Sequence, residues 1–90
     1  MEYDGKPVLP TKNAMDELSD IDLDLYDAVC ILNDGFEIRK RSRNVIERCM
    51  QTGNKVINVV VVDLGSHYKL IHAGEFTLSR KFKRMMKDGI

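Results

Sequence analysis

The chain has no tryptophan, only two cysteines and two prolines, and no net charge. It also lacks any apolar run approaching the roughly 20 residues that span a bilayer, which excludes a membrane-crossing helix; the valine run at 59–62 stops at Asp63. No apolar signal core follows Met1, so the expected location is cytoplasmic and no membrane partner is expected. Cys30 and Cys49 have no CxxC spacing and read as free thiols in small core or half-buried positions. Walker, GxGxxG, HExxH and GxSxG motifs are all absent. Nucleotide-binding, zinc-protease and serine-hydrolase chemistry therefore find no support, and neither a cofactor nor a metal is expected.

The zero net charge conceals a split. Residues 1–35 carry nine acids against Lys6 and Lys12, a balance of −7, whereas residues 36–90 carry twelve Lys and Arg against five acids, a balance of +7. A basic half of this kind suits a polyanion, although a solvated mixture of charges fits it as well. Ninety residues with 43% hydrophobic content make one small domain with a single core. Residues 1–10 form a lead-in, 11–75 the core, and 76–90 a basic tail.

Thr11 is placed to cap a short helix through Ala14, Met15 and Leu18. Ser19-Asp20-Ile21-Asp22 breaks it, and either aspartate can cap a second helix at about 22–33, where Leu25, Ala28, Val29 and Leu32 share one face. Gly35 is expected to stop that helix in a left-handed position. Pro7 and Pro10 limit residues 1–10 to, at most, a short edge strand.

Beyond Gly35, residues 36–40 alternate as a half-exposed strand. Residues 44–51 fit either period, but the turn at Thr52-Gly53-Asn54 favours a hairpin arm. Residues 56–62 are almost entirely β-branched and read as a central strand. A further strand runs from Tyr68 to a stop at Gly74, and residues 76–86 read as a basic amphipathic helix or tail. The expected fold is α+β: two N-terminal helices packed on one face of a three- to four-stranded antiparallel sheet.

The candidate chemistry lies in that sheet. Arg39, Lys40, Arg41, Arg43, Arg48, Lys55 and Lys69 fall on neighbouring strands, where they are expected to converge on one face as a phosphate grip. Such guanidinium groups also stabilise charge developing at phosphorus. Glu47 offers a proton acceptor and Tyr68 a stacking or hydroxyl donor. His72, expected in phase with Tyr68 and Leu70, reads as either a satisfied structural histidine or a general acid/base. Arg80 and Lys81 in the tail add an electrostatic footprint for RNA. A solvated strand face laced with ion pairs is the plain alternative.

Three stretches resemble the small toxin-like domains of the RelE/BrnT ribonuclease superfamily, in particular a BrnT-related family. They are Thr11-Lys12-Asn13-Ala14-Met15 with Ile21 and the helix ending at Asn33-Asp34-Gly35; Arg41-Ser42-Arg43-Asn44-Val45-Ile46-Glu47-Arg48 through Lys55; and the valine run with Tyr68-Lys69-Leu70-Ile71-His72. Asn13 stands where that family often has His, and Ser19-Asp20 where it often has Arg-Gly. The resemblance implies a metal-independent, mRNA-cleaving toxin neutralised by a protein antitoxin. On it, Arg41, Arg43, Arg48 and Lys69 hold phosphates while Glu47 or His72 handles the proton. Two other readings stand beside the enzyme. The fold can hold nucleic acid without cleaving it, or its acidic helices can meet the basic strands of a second copy or a partner.

Overall fold

The computed structural model describes residues 1–37 and 42–77. Expectations for the rest of the 36–40 strand, for Arg41, and for the tail with Arg80 and Lys81 lie outside the described residues. The elements run β1 (Glu2–Tyr3), β2 (Lys6–Pro10), α1 (Lys12–Asp20), α2 (Leu25–Asp34), β3 (Val45–Thr52), β4 (Lys55–Asp63) and β5 (Tyr68–Thr77). The class is α+β, as expected, but the sheet is larger and of mixed direction. It has five strands in the order β1-β2-β5-β4-β3, and β2 lies parallel to β5. The expectation of a purely antiparallel sheet of three or four strands is corrected.

The prolines account for part of that error. Pro7 and Pro10 flank Val8, whose own N–H bonds Met1 O, so strand pairing survives two residues without donors. Asp4 and Gly5, both with positive φ, make the two-residue turn that joins β1 to β2.

Thr11 caps α1 as expected, its hydroxyl accepting from Ala14 N. At the other end Asp22 takes the left-handed position (φ 58°), Leu23 N–H bonds Leu18 O, and Asp22 N–H bonds Ser19 O. Asp22 thus closes α1 instead of opening α2. The second helix is capped later, by a reciprocal pair in which Asp24 and Asp27 each accept the other's backbone N–H.

Ala14 and Leu18 of α1 with Ala28, Val29, Ile31 and Leu32 of α2 pack on Val59, Val61, Leu70 and Ala73 to form the main core. The opposite sheet face carries a smaller cluster, Cys49 and Val56 with Phe36 and Phe76. No helix among the described residues is long and apolar enough to cross a membrane.

Two further expectations are corrected. Gly35 ends α2 with φ −78° and ψ −172°, which is extended and not left-handed. A glycine is needed there for closeness: any Cβ would collide with the backbone carbonyl oxygens of Ile31 and Cys49. Gly74 does not end β5, which continues to Thr77 with Gly74 opposite Asn58.

The β1–β2 hairpin is fastened to the sheet by charge. Lys6 Nζ bonds Asp63 Oδ1 at 2.8 Å and lies 4.7 Å from the Tyr68 ring centre. The Lys6 hydrogen bond, followed by the Gly65 N–H, holds the Asp63 carboxyl below its ordinary 3.8. Folding therefore favours the carboxylate, a contribution complete above 3.8 and lost as pH falls through the lowered value. Urea unfolding of wild type and Asp63→Asn is expected to differ at pH 7, with the variant less stable, and to converge in acid. A difference undiminished in acid would assign the effect to packing instead of charge.

Candidate functional site

Side-chain alternation divides the expected site residues between two faces. In β3, Glu47 pairs with Val60 and Arg48 with Val59, so the neighbours point in opposite directions. Arg48 turns toward the helices, where its guanidinium donates to Gly35 O at the end of α2; its Nε is buried without a hydrogen-bond partner among the described residues. Tyr68 is also on the helix side, 2% exposed in the core. Its ring centre lies 5.0 Å from that of Tyr3, and its hydroxyl donates to Asp4 Oδ2 at 3.2 Å. Burial, then the Asp4 bond, pushes the Tyr68 hydroxyl above its ordinary 10.0. Lys55 pairs with Glu75 at 3.2 Å at the far end of the sheet, and Arg43 is exposed ahead of β3. The described cations do not gather on one face.

His72 does reach the face opposite the helices, by an irregularity that its spacing from Tyr68 does not reveal. Val60 pairs with His72 but Val61 with Leu70, which leaves Ile71 as an extra residue in β5. This bulge reverses the phase, so His72 leaves the side of Tyr68 and Leu70 and joins that of Glu47. The expectation that His72 is in phase with Tyr68 and Leu70 is corrected. Lys69, paired with Val62, is exposed on this second face.

A cleft of about 530 Å³ opens there, lined by Ser42, Val45, Glu47, Asn58, Val60, Ile71 and His72. Its polar groups form a row across three strands. Asn58 Nδ2 donates to Glu47 Oε2 at 2.7 Å, with both side chains buried. Across β5, His72 Nδ1 lies 3.0 Å from both carboxylate oxygens of Glu17. A carboxylate only accepts, so Nδ1 carries the hydrogen and neutral His72 keeps a lone pair on Nε2.

Glu17 comes from α1, and the sheet explains how. β2 stops pairing at Pro10 opposite Leu70, and Thr11 N–H bonds Leu70 O as the chain enters α1. Beyond that point α1 lies beside the edge of β5, and Glu17 Oε1 accepts the Ala73 N–H at 3.2 Å. One carboxylate thus satisfies a strand edge and orients a histidine ring. Asn13, one turn earlier, donates to the same carboxylate at 3.4 Å.

Sequence reasoning missed Glu17 and Asn58. Glu17 looked like one acid among nine, and Asn58 was hidden inside a valine-rich strand, where a buried amide is itself the signal. Among the described residues no group of His, Cys, Asp and Glu is arranged to hold a metal ion. No protein-family model matches the chain, and neither a curated protein nor a solved structure matches it significantly.

Proposed function

We propose that the chain is a metal-independent endoribonuclease of toxin type, with the cleft as its reaction site. The supporting observation is His72, its Nδ1 fixed by Glu17 and its ring lining a cleft that also holds Glu47 and Asn58. A histidine ordered by a carboxylate is a general base in a fixed tautomer. Nε2 takes the proton of a ribose 2′-hydroxyl, whose oxygen attacks the adjacent phosphorus. The bond from phosphorus to the 5′-oxygen breaks, giving a 2′,3′-cyclic phosphate. The departing oxygen takes a proton from water, and the His72 imidazolium neutralises the hydroxide left behind.

Lys69 on the same face, with Arg43 beside Ser42, holds the phosphate backbone. Arg41 belongs to this grip by its place in the basic run and by the resemblance, and Arg80 and Lys81 by the basic character of the tail sequence; the resemblance also supplies the expectation of a protein antitoxin. Arg48 and Tyr68 are reassigned to the scaffold.

A second reading, RNA held without cleavage, is favoured by Arg48. The cation expected to stabilise the transition state faces the helices and bonds Gly35 O.

Purified protein incubated with single-stranded RNA in EDTA separates the two. The enzyme leaves 2′,3′-cyclic phosphate ends, whereas the binding module leaves intact RNA with an affinity that falls steeply as salt rises. RNA that is neither cut nor bound at low salt defeats both and points to assembly through the acidic helices, with a second copy or a protein partner.

A further inference from the structure

Gly74 faces the cleft side of β5, opposite Asn58. A Cβ added there would lie 2.9 Å from Asn58 Oδ1 and 3.2 Å from His72 Nε2, so the missing side chain keeps an opening between these two atoms. The amide of Asn58 is turned by its bond to Glu47, which consumes Nδ2 and leaves Oδ1 directed at the opening. Glu17 fixes the histidine likewise, leaving Nε2 as an acceptor. Neither Oδ1 nor Nε2 has a hydrogen-bond partner among the described residues, and Asn58 is only 9% exposed.

Two acceptors facing one gap require a donor. A deprotonated phosphate oxygen has no hydrogen to give, so the group that fits here carries an O–H or N–H. The position of the missing Cβ, 2.9 Å from Oδ1 and 3.2 Å from Nε2, is too close for a methyl group but is at hydrogen-bond distance for an oxygen or nitrogen. We propose that the opening above Gly74 is a berth for a hydrogen-bond donor and that this donor is the ribose 2′-hydroxyl. The hydroxyl assignment rests on the ribonuclease reading. Gly74 is then a positioning residue, which leaves the path to Nε2 clear by having no side chain. Because φ at Gly74 is not positive, alanine fits the strand backbone, and the groups it displaces are side-chain ends.

The test is carbethoxylation of His72 by diethyl pyrocarbonate, read by mass spectrometry with His67 in the 64–67 turn as internal reference. It is run on wild type and Gly74→Ala, each alone and with a short RNA or the DNA of the same sequence. In the free protein, Gly74→Ala is expected to slow modification at His72 and leave His67 unchanged. In wild type, RNA is expected to shield His72 more than DNA does. Cleavage by Gly74→Ala is expected to fall about a hundredfold, the scale of a misplaced reacting group.

If His72 reacts equally fast in both free proteins, the opening does not control access and the inference falls, even if RNA is cleaved. Equal shielding by RNA and DNA overturns the hydroxyl assignment while leaving nucleic-acid binding intact. Shielding by neither defeats the ribonuclease reading and the hydroxyl with it. Should Gly74→Ala fail to fold, the RNA–DNA contrast in wild type decides.

Discussion

His72→Ala is expected to lower RNA cleavage by about 10²–10⁴-fold, the usual contribution of a positioned general base. RNA affinity should change little, because binding is assigned to Lys69 and Arg43 and not to the imidazole. Single-turnover cleavage with a parallel binding titration gives both numbers. Glu17→Gln supplies the graded companion: an amide still accepts from Nδ1 but no longer favours the imidazolium that forms during the reaction. Its loss should be smaller than that of His72→Ala and should act on the chemical step more than on affinity. If His72→Ala cleaves as well as wild type, the cleft is not the reaction site. If cleavage and binding fall together, His72 is a contact and not a base.

The second large effect is on stability. Gly35→Ala is expected to destabilise the domain by about 1–3 kcal/mol or more, as overpacking against a rigid neighbour does. The new methyl meets two backbone carbonyl oxygens, and neither can retreat freely. Ile31 O already accepts the Gly35 N–H at 2.8 Å, and Cys49 O accepts the Phe36 N–H at 2.9 Å. Arg48 bonds Gly35 O as well, so the junction of α2 with β3 is held from three sides. For a domain of this size each kcal/mol corresponds to about 4–8 °C in Tm, which makes the change plain in a thermal melt. Thr52→Ala, an exposed substitution on the same sheet, should stay within about 0.5 kcal/mol. Equal melts for Gly35→Ala and wild type would mean that the junction yields.

Periodicity carried most of the fold. The face of Leu25, Ala28, Val29 and Leu32, the β-branched run of β4 and the turn before Lys55 each have one dominant spacing, and each formed as read. β2 was under-read because two prolines argued against it and its parallel partner is remote in sequence, where no local pattern points. Asp4-Gly5 was the available hairpin signal. Charge misled more than it helped: a cluster of cations in sequence says nothing about face, and strand alternation sent Arg48 one way and Glu47 the other. His72 was legible as a residue to watch but not as a cleft residue, because a one-residue bulge leaves no mark on composition. Glu17 was out of reach for a related reason. Its role depends on α1 lying beside β5, a contact between segments more than fifty positions apart.

The parallel pairing of β2 with β5 also sets an order of events. Val8 meets Tyr68, so a strand joins one made sixty positions later. On the ribosome the N-terminal hairpin emerges long before its partner, and α1 follows it without the strand edge that Glu17 must reach. The β3–β4–β5 meander, joined by short turns, closes with little loop entropy, whereas the β2 contact carries the entropy of a chain-long loop. The histidine and the carboxylate that orders it therefore come together late in folding, when the two ends of the described chain meet. A nascent chain that stops before β5 has Glu17 and α1 but not His72, so on the proposed function synthesis itself delays cleavage until β5 is made.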